Sequence, residues 1–283
     1  MRKIVFILLF FLLSVSCTGT KSFEGVIWKD ATSEQIGTLL KSGTSVGSDR
    51  KDGVTPLMFA VQDNENPAVA EALIKAGADV NARNSIGWTP LMFAASNNKN
   101  PAVTEALLKA GAEVNAIDDT GWTSFLFAAG NNDNIDVIKA LIRAGANVKV
   151  RLEKDVTSLM LAARGNKNPD VIRLLIQKGE QVNARIEKGL TPLMFAAEDN
   201  ENPAVVKALI KAGADVNVCD ENGVTVLMKA AENNNNPAVV ETLLKAGAKV
   251  NARDKKGLTA FDHAGNNPKI KNSSVYRKLK GKK

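Results

Sequence analysis

Apolar residues along the chain fall into alternating short blocks with helical spacing. Over residues 55–63, Leu57, Ala60 and Val61 mark one face of a helix of about two turns, which stops at Asn64. Shortly after, Val69, Leu73 and Ile74 keep the 3–4 spacing that turns one apolar stripe toward the first helix, and Gly77 closes the block. The whole pattern then recurs. Thr191–Ala197 reads Thr-Pro-Leu-Met-Phe-Ala-Ala, with near-copies beginning at Thr55, Thr89, Thr123, Thr157 and Thr225 and a decayed one at Thr259. Each step is 34 residues, without insertion or deletion. A fixed period of this size predicts a solenoid, in which each unit buries its apolar face only against its neighbours.

The residues between the blocks set the helix ends. A threonine before Pro56, Pro90 and Pro192 has the arrangement of a capping residue followed by proline in the first turn. Asparagine recurs just past the first helix as Asn64, Asn98, Asn132, Asn166, Asn200 and Asn234, a position that predicts a left-handed C-terminal cap. Two residues on, Asn66-Pro67 and its copies predict an asparagine cap and a proline opening the second helix; Asn134-Ile135 keeps only the cap. Gly77 and its equivalents end that helix, and a turn follows through Gly53, Gly87, Gly121, Gly189, Gly223 and Gly257. Lys21–Ser48 reads as a worn first unit, with a capping box at Thr32-Ser33-Glu34-Gln35 and Leu39–Gly43 matching Leu73–Gly77.

A net charge of +7 suggests a nucleic-acid partner until its distribution is read. Arg2 and Lys3 contribute +2, and seven Lys and Arg residues contribute +7 within residues 267–283, where there is no acid. Residues 4–266 therefore carry −2, without the basic stripe that phosphate binding needs. No nucleic-acid partner is expected, and the tail reads as a solvated, frayed terminus.

The chain opens with Met-Arg-Lys, ten apolar residues over Ile4–Leu13, and then Ser14-Val15-Ser16-Cys17. That run is too short to span a bilayer, which needs about 20 residues, and has the layout of a signal peptide over residues 1–16. Small residues before Cys17 resemble a bacterial lipobox, although Leu13 lies one position further back than usual. The expectation is an exported protein of a bacterial cell envelope, anchored to a membrane by lipid at Cys17. Cys219 is the second of two cysteines and has no partner for an intramolecular disulfide.

Chemistry is sparse. His263 is the one histidine, and it occupies the position of Phe59, Phe93, Phe127, Leu161 and Phe195 in earlier units. Cys219 lies in a turn beside Asp220. Neither sits in a catalytic constellation; no His/Cys cluster has metal spacing and no glycine-rich loop has the context of a phosphate site. We expect no catalysis, metal or cofactor.

Gly-Trp-Thr-Pro-Leu, the following Ala-Ala, and Leu-Leu-Lys-Ala-Gly-Ala-Glu-Val-Asn-Ala over Gly87–Ala116 resemble the ankyrin repeat. The resemblance covers roughly residues 30–265 and recurs six times in full. It implies an all-α solenoid of stacked helix-turn-helix units with β-hairpin fingers along one edge. The domains are then a tether and degenerate cap over 17–48, six repeats over 49–254, and a capping repeat with basic tail over 255–283. Three features depart from the family. The period is 34 where the family usually has 33, the extra residue falling in the Asn-x-Asn loop. The family's histidine is replaced by Met58, Met92, Leu126, Met160, Met194 and Met228, so its bond to the threonine is expected to be absent. Asp155 replaces the glycine of the fourth finger.

The resemblance also points to a binding face. The residue after the finger glycine, with the two before it, faces the concave side in this family and commonly contacts partners. Trp88 and Trp122 stand there in adjacent repeats, as exposed anchors of a hot spot, with Ser85, Ile86, Asp119, Thr120, Glu153 and Lys154 varying around them. The expected function is a monomeric scaffold binding a protein partner. The alternative is a structural or protective envelope component with no dedicated protein partner.

Overall fold

The computed structural model of the 283-residue chain describes residues 23, 25–47 and 50–281; residues 1–16, expected to be a signal peptide, and Cys17 lie outside them. The described residues form an all-α solenoid. After a short turn at Trp28–Asp30 comes α1 (Ser33–Lys41), which stands in register with the second helices that follow. Three units come next: α2 (Pro56–Asp63) with α3 (Pro67–Lys75), α4 (Pro90–Asn97) with α5 (Pro101–Lys109), and α6 (Ser124–Asn131) with α7 (Ile135–Arg143). Three more follow: α8 (Ser158–Gly165) with α9 (Pro169–Gln177), α10 (Pro192–Asp199) with α11 (Pro203–Lys211), and α12 (Val226–Asn233) with α13 (Pro237–Lys245). The final layer is α14 (Ala260–Ala264), α15 (Pro268–Lys271) and α16 (Ser274–Leu279).

Each first helix packs on the next unit's first helix, and each second helix on the next second helix. Pairs such as Ala94/Ala95 and Ala128/Ala129 are fully buried in the first-helix stack, where their small side chains let the layers approach. Between α6 and α8 the two backbones themselves come close. A Cβ on Gly165 would lie 2.6 Å from the Gly130 carbonyl oxygen, so only glycine fits there.

The caps follow the sequence at most positions. Thr32 and Gln35 form the capping box, and Asn66 Oδ1 accepts from the Ala68 N–H at 3.0 Å. Gly77 is left-handed at φ 93°, and the Ala78 N–H returns to the Leu73 carbonyl at 3.0 Å. The methionines do more than fill space. The Thr55, Thr89 and Thr225 backbone N–H groups donate to the sulfurs of Met58, Met92 and Met228 at 3.4, 3.4 and 3.3 Å. The weakly accepting thioether takes the acceptor place expected to stand empty.

The asparagines after the first helices are not left-handed caps. Asn64 has φ −104° and ψ 122°, which is extended backbone, and its equivalents agree. Their side chains are buried and point back along the solenoid instead. Asn98 Nδ2 donates to the Val61 and Asn64 carbonyls of the preceding unit at 2.9 and 2.7 Å, and its Oδ1 accepts from the Asn100 N–H at 2.9 Å. Asn132, Asn166, Asn200 and Asn234 repeat this pattern, and Asn267 ends the ladder on the Asn234 carbonyl. Beside it the N-cap asparagines make a second ladder, as when Asn134 Nδ2 donates to the Lys99 carbonyl at 2.7 Å. The extra residue of the 34-residue period thus lies in a loop that ties every unit to the one before. Buried carbonyls that no helix satisfies find their donors there.

The fingers are turns rather than strands. Among the described residues, pairing is limited to isolated bridges between Ile117 and Thr123, Arg151 and Thr157, and Cys219 and Thr225. The fourth finger closes despite lacking glycine, with Lys154 and Asp155 held left-handed at φ 61° and 60°. As far as residue 281 the basic tail is folded rather than frayed. Ile270, Val275 and Leu279 are buried, and the final layer closes the core.

Candidate interaction face

Finger and first-helix side chains meet along one side of the solenoid. Trp88 and Trp122 converge there on one residue of α6, Phe127. The Trp88 ring centroid lies 4.4 Å from that of Phe127 and 5.1 Å from Phe93, and Trp122 lies 4.9 Å from Phe127. Phe127 is buried by this clamp. The two tryptophans are half-buried rather than the exposed anchors expected, because their inner faces are already spent on phenylalanine.

Asp118 orders the clamp. Its Oδ1 accepts from the Thr120 and Trp122 N–H groups at 2.8 and 2.9 Å and from the Thr120 hydroxyl at 2.8 Å, while Oδ2 accepts from Trp88 Nε1 at 3.0 Å. One buried carboxylate therefore fixes a finger and the indole of the preceding finger together. Ile86 stands above this group at 52% exposure, with Ser85, Asp119 and Thr120 exposed around it. The Asp119 N–H donates to the Ile86 carbonyl at 3.3 Å, joining the two fingertips. Glu153 and Lys154 lie apart from this cluster on the fourth finger, where Lys154 faces Glu187 at 3.7 Å.

The stripe that holds Phe127 changes character along the array. At its start Phe59 stacks on Trp28, with the Arg50 guanidinium 5.5 Å from the Phe59 ring centre. Arg50 also holds the Asp52 carboxyl below the usual carboxylate range, first through its side-chain hydrogen bonds. At the other end the stripe becomes charged. Lys229 Nζ lies 3.3 Å from Glu198 and 3.8 Å from Asp220. One unit later, His263 Nδ1 lies 3.1 Å from Glu232 and Nε2 lies 3.0 Å from Asp254. The same clamp of a helix carboxylate and a finger carboxylate is thus built twice. Burial opposes the charge on Asp254 most strongly, yet N–H donors from Leu258 and Lys256 and the His263 ring hold its carboxyl below the usual range.

His263 is therefore engaged as a structural tie, with both ring nitrogens occupied. Cys219 is exposed on its turn, on a different element from the His263 helix. The sequence reading missed Asp118, Asp220 and Asp254, although an acidic residue four positions before the residue that follows the finger glycine was there to be seen. It also missed Glu180, a buried carboxylate where other units have alanine, paired with Arg151 at 3.2 Å and with the Ser158 hydroxyl at 3.2 Å. Among the described residues there is no cluster of metal-ligating side chains and no helix long and apolar enough to cross a membrane.

Paired helices stacked unit on unit and joined by tight finger turns define a helical-repeat solenoid. The chain belongs to the ankyrin repeat family: the pattern described as ankyrin repeats (3 copies) matches residues 29–118, 94–186, 125–220, 159–254 and 193–272. Its fold is similar to the crystal structure of the human ASB11 ankyrin repeat domain, with a TM-score of 0.67 and 25% identity, covering 80% of this chain and 96% of that one. No curated protein matches the sequence. Ankyrin repeats generally mediate protein–protein interaction and are typically non-catalytic.

Proposed function

We propose that this chain is a non-catalytic scaffold that binds a protein partner on its concave face, centred on the Trp88–Phe127–Trp122 clamp. The clamp is the observation that carries this reading. Two half-buried tryptophans, one held by its indole and the other by its backbone N–H on a buried aspartate, and rimmed by exposed Ile86, give a partner a rigid apolar anchor point at low ordering cost. In this reading the leader exports the chain, and a lipid on Cys17 tethers it as a monomer in a bacterial cell envelope.

The test uses fingertip substitutions that leave the ring packing intact. Cross-linking capture from envelope extract with the Ser85→Arg/Ile86→Asp variant should lose a partner that the unmodified chain retains, with unchanged thermal unfolding. Equal capture by both would remove the concave face from the reading. Metabolic labelling with a fatty-acid analogue should mark the chain and not its Cys17→Ser variant.

A further inference from the structure

The charge of the molecule is sharply divided. Residues 23–252 hold 24 Lys and Arg against 28 Asp and Glu, whereas residues 253–283 hold ten against two. The excess is placed on the folded final layer. Lys269 and Lys271 on α15, and Arg277, Lys278 and Lys280 on or beside α16, are all exposed, while Ile270, Val275 and Leu279 bury the other side of the same short helices. Lys278 meets Glu241 at 2.9 Å; among the described residues no acid is paired with Lys269, Lys271 or Lys280. The last fingertip adds exposed Lys255 and Lys256 next to Leu258, which is 39% exposed. Tyr276 and Phe261 stack nearby with centroids 4.6 Å apart.

We propose that this final layer docks on an anionic lipid surface. A dense basic patch with an exposed leucine and adjacent aromatic rings is suited to headgroup contact with shallow apolar insertion. The charge division favours a membrane over a nucleic acid. A long polyanion leaving the final layer would run along a net acidic array, whereas a flat bilayer touches the end alone. Such docking leaves the concave face open, so it stands or falls separately from the proposed protein partner.

Vesicle co-sedimentation of the full chain tests this, using phosphatidylcholine alone and with about 30 mol% phosphatidylserine. The apolar run Ile4–Leu13 sets the background on neutral vesicles, so the readout is the gain that phosphatidylserine produces. That gain should fall by at least about tenfold in Lys269→Glu/Lys271→Glu/Lys280→Glu, and also as salt rises from about 50 to about 300 mM. A Lys75→Glu/Lys109→Glu/Lys211→Glu control, with the same change in net charge elsewhere, should keep it. The Lys→Gln triple at the three C-terminal sites should lose an intermediate amount, which guards against a folding defect in the charge reversal. No gain for the unmodified chain, equal loss in both charge-reversed triples, or tighter binding to a duplex oligonucleotide than to the anionic vesicles would overturn the proposal.

Discussion

Replacing Asn166 by alanine removes three hydrogen bonds from a site fully closed to solvent. Asn166 Nδ2 donates to the Ala129 and Asn132 carbonyls at 3.0 and 2.9 Å, and Oδ1 accepts from the Asn168 N–H at 2.9 Å. Each bond contributes about 1 kcal/mol net, and buried groups left unpaired cost about 1–3 kcal/mol each where water cannot reach them. Allowing for partial relaxation, the variant should lose about 3–4 kcal/mol, a large part of the roughly 5–15 kcal/mol that holds a typical protein folded. With a urea m-value near 2 kcal/mol/M, the midpoint should fall by about 1.5–2 M. Because coupling in a solenoid passes only between neighbours, the same substitution should split a single transition into two, as the units before and after α8 melt separately. Asn64→Ala is the comparison. Its Nδ2 donates to Trp28 and Ala31 at the end of the array, so its loss should fray only the N-terminal unit. A cost below about 1 kcal/mol for Asn166→Ala, with an unchanged m-value, would show that water replaces the side chain and would sink the claim that this ladder couples the units.

Asp155→Gly should stabilise the chain by about 0.5–1 kcal/mol, since Asp155 sits at φ 60° where other fingers use glycine; calorimetry reads this as a higher Tm. Arg151→Met should cost about 2 kcal/mol by stranding the buried Glu180 carboxylate, a little under a fully buried pair because Arg151 keeps 37% of its side-chain surface in water. Glu180→Ala, which restores the residue of the other units, should stay within about 1 kcal/mol of the parent, and the reverse order in urea unfolding would contradict the assignment. For Asp254 the folded-state carboxyl is held below its usual range, so its contribution is fully present above the ordinary aspartate value. It is lost as pH falls through the depressed folded value. Hydrogen exchange of α14–α16 should therefore accelerate in acid, and Asp254→Asn should flatten that dependence; superimposable profiles would count against the tie to His263.

What could be read from the residues was what depends on residues close in sequence. The Thr-Pro starts, the N-cap at Asn66 and the left-handed Gly77 are each decided within one helical turn, and all three stand in the structure. Asn64 was misread for the same reason. Its local setting, a polar residue just past a helix, matches a C-cap, but its partners lie 33 and 36 residues earlier. The tryptophans were given the wrong exposure, because Phe127, which covers both, comes from α6 and is not marked by the local pattern around either ring. Lys229 and His263 fall at the position where earlier units carry Phe or Leu. Each is instead held by carboxylates 31 and nine positions away, at separations that no local pattern marks.

The asparagine ladder also sets the arithmetic of change in this chain. Each rung from Asn98 to Asn234 joins residue n to residue n − 34, so a single inserted or deleted residue between these rungs puts a buried amide opposite the wrong carbonyl. A whole unit added or removed leaves each remaining rung with an equivalent partner. Loop length is therefore held fixed to the residue, while the number of units is free to vary in steps of 34, and this stretch of sequence can lengthen or shorten by duplication without relearning how to fold.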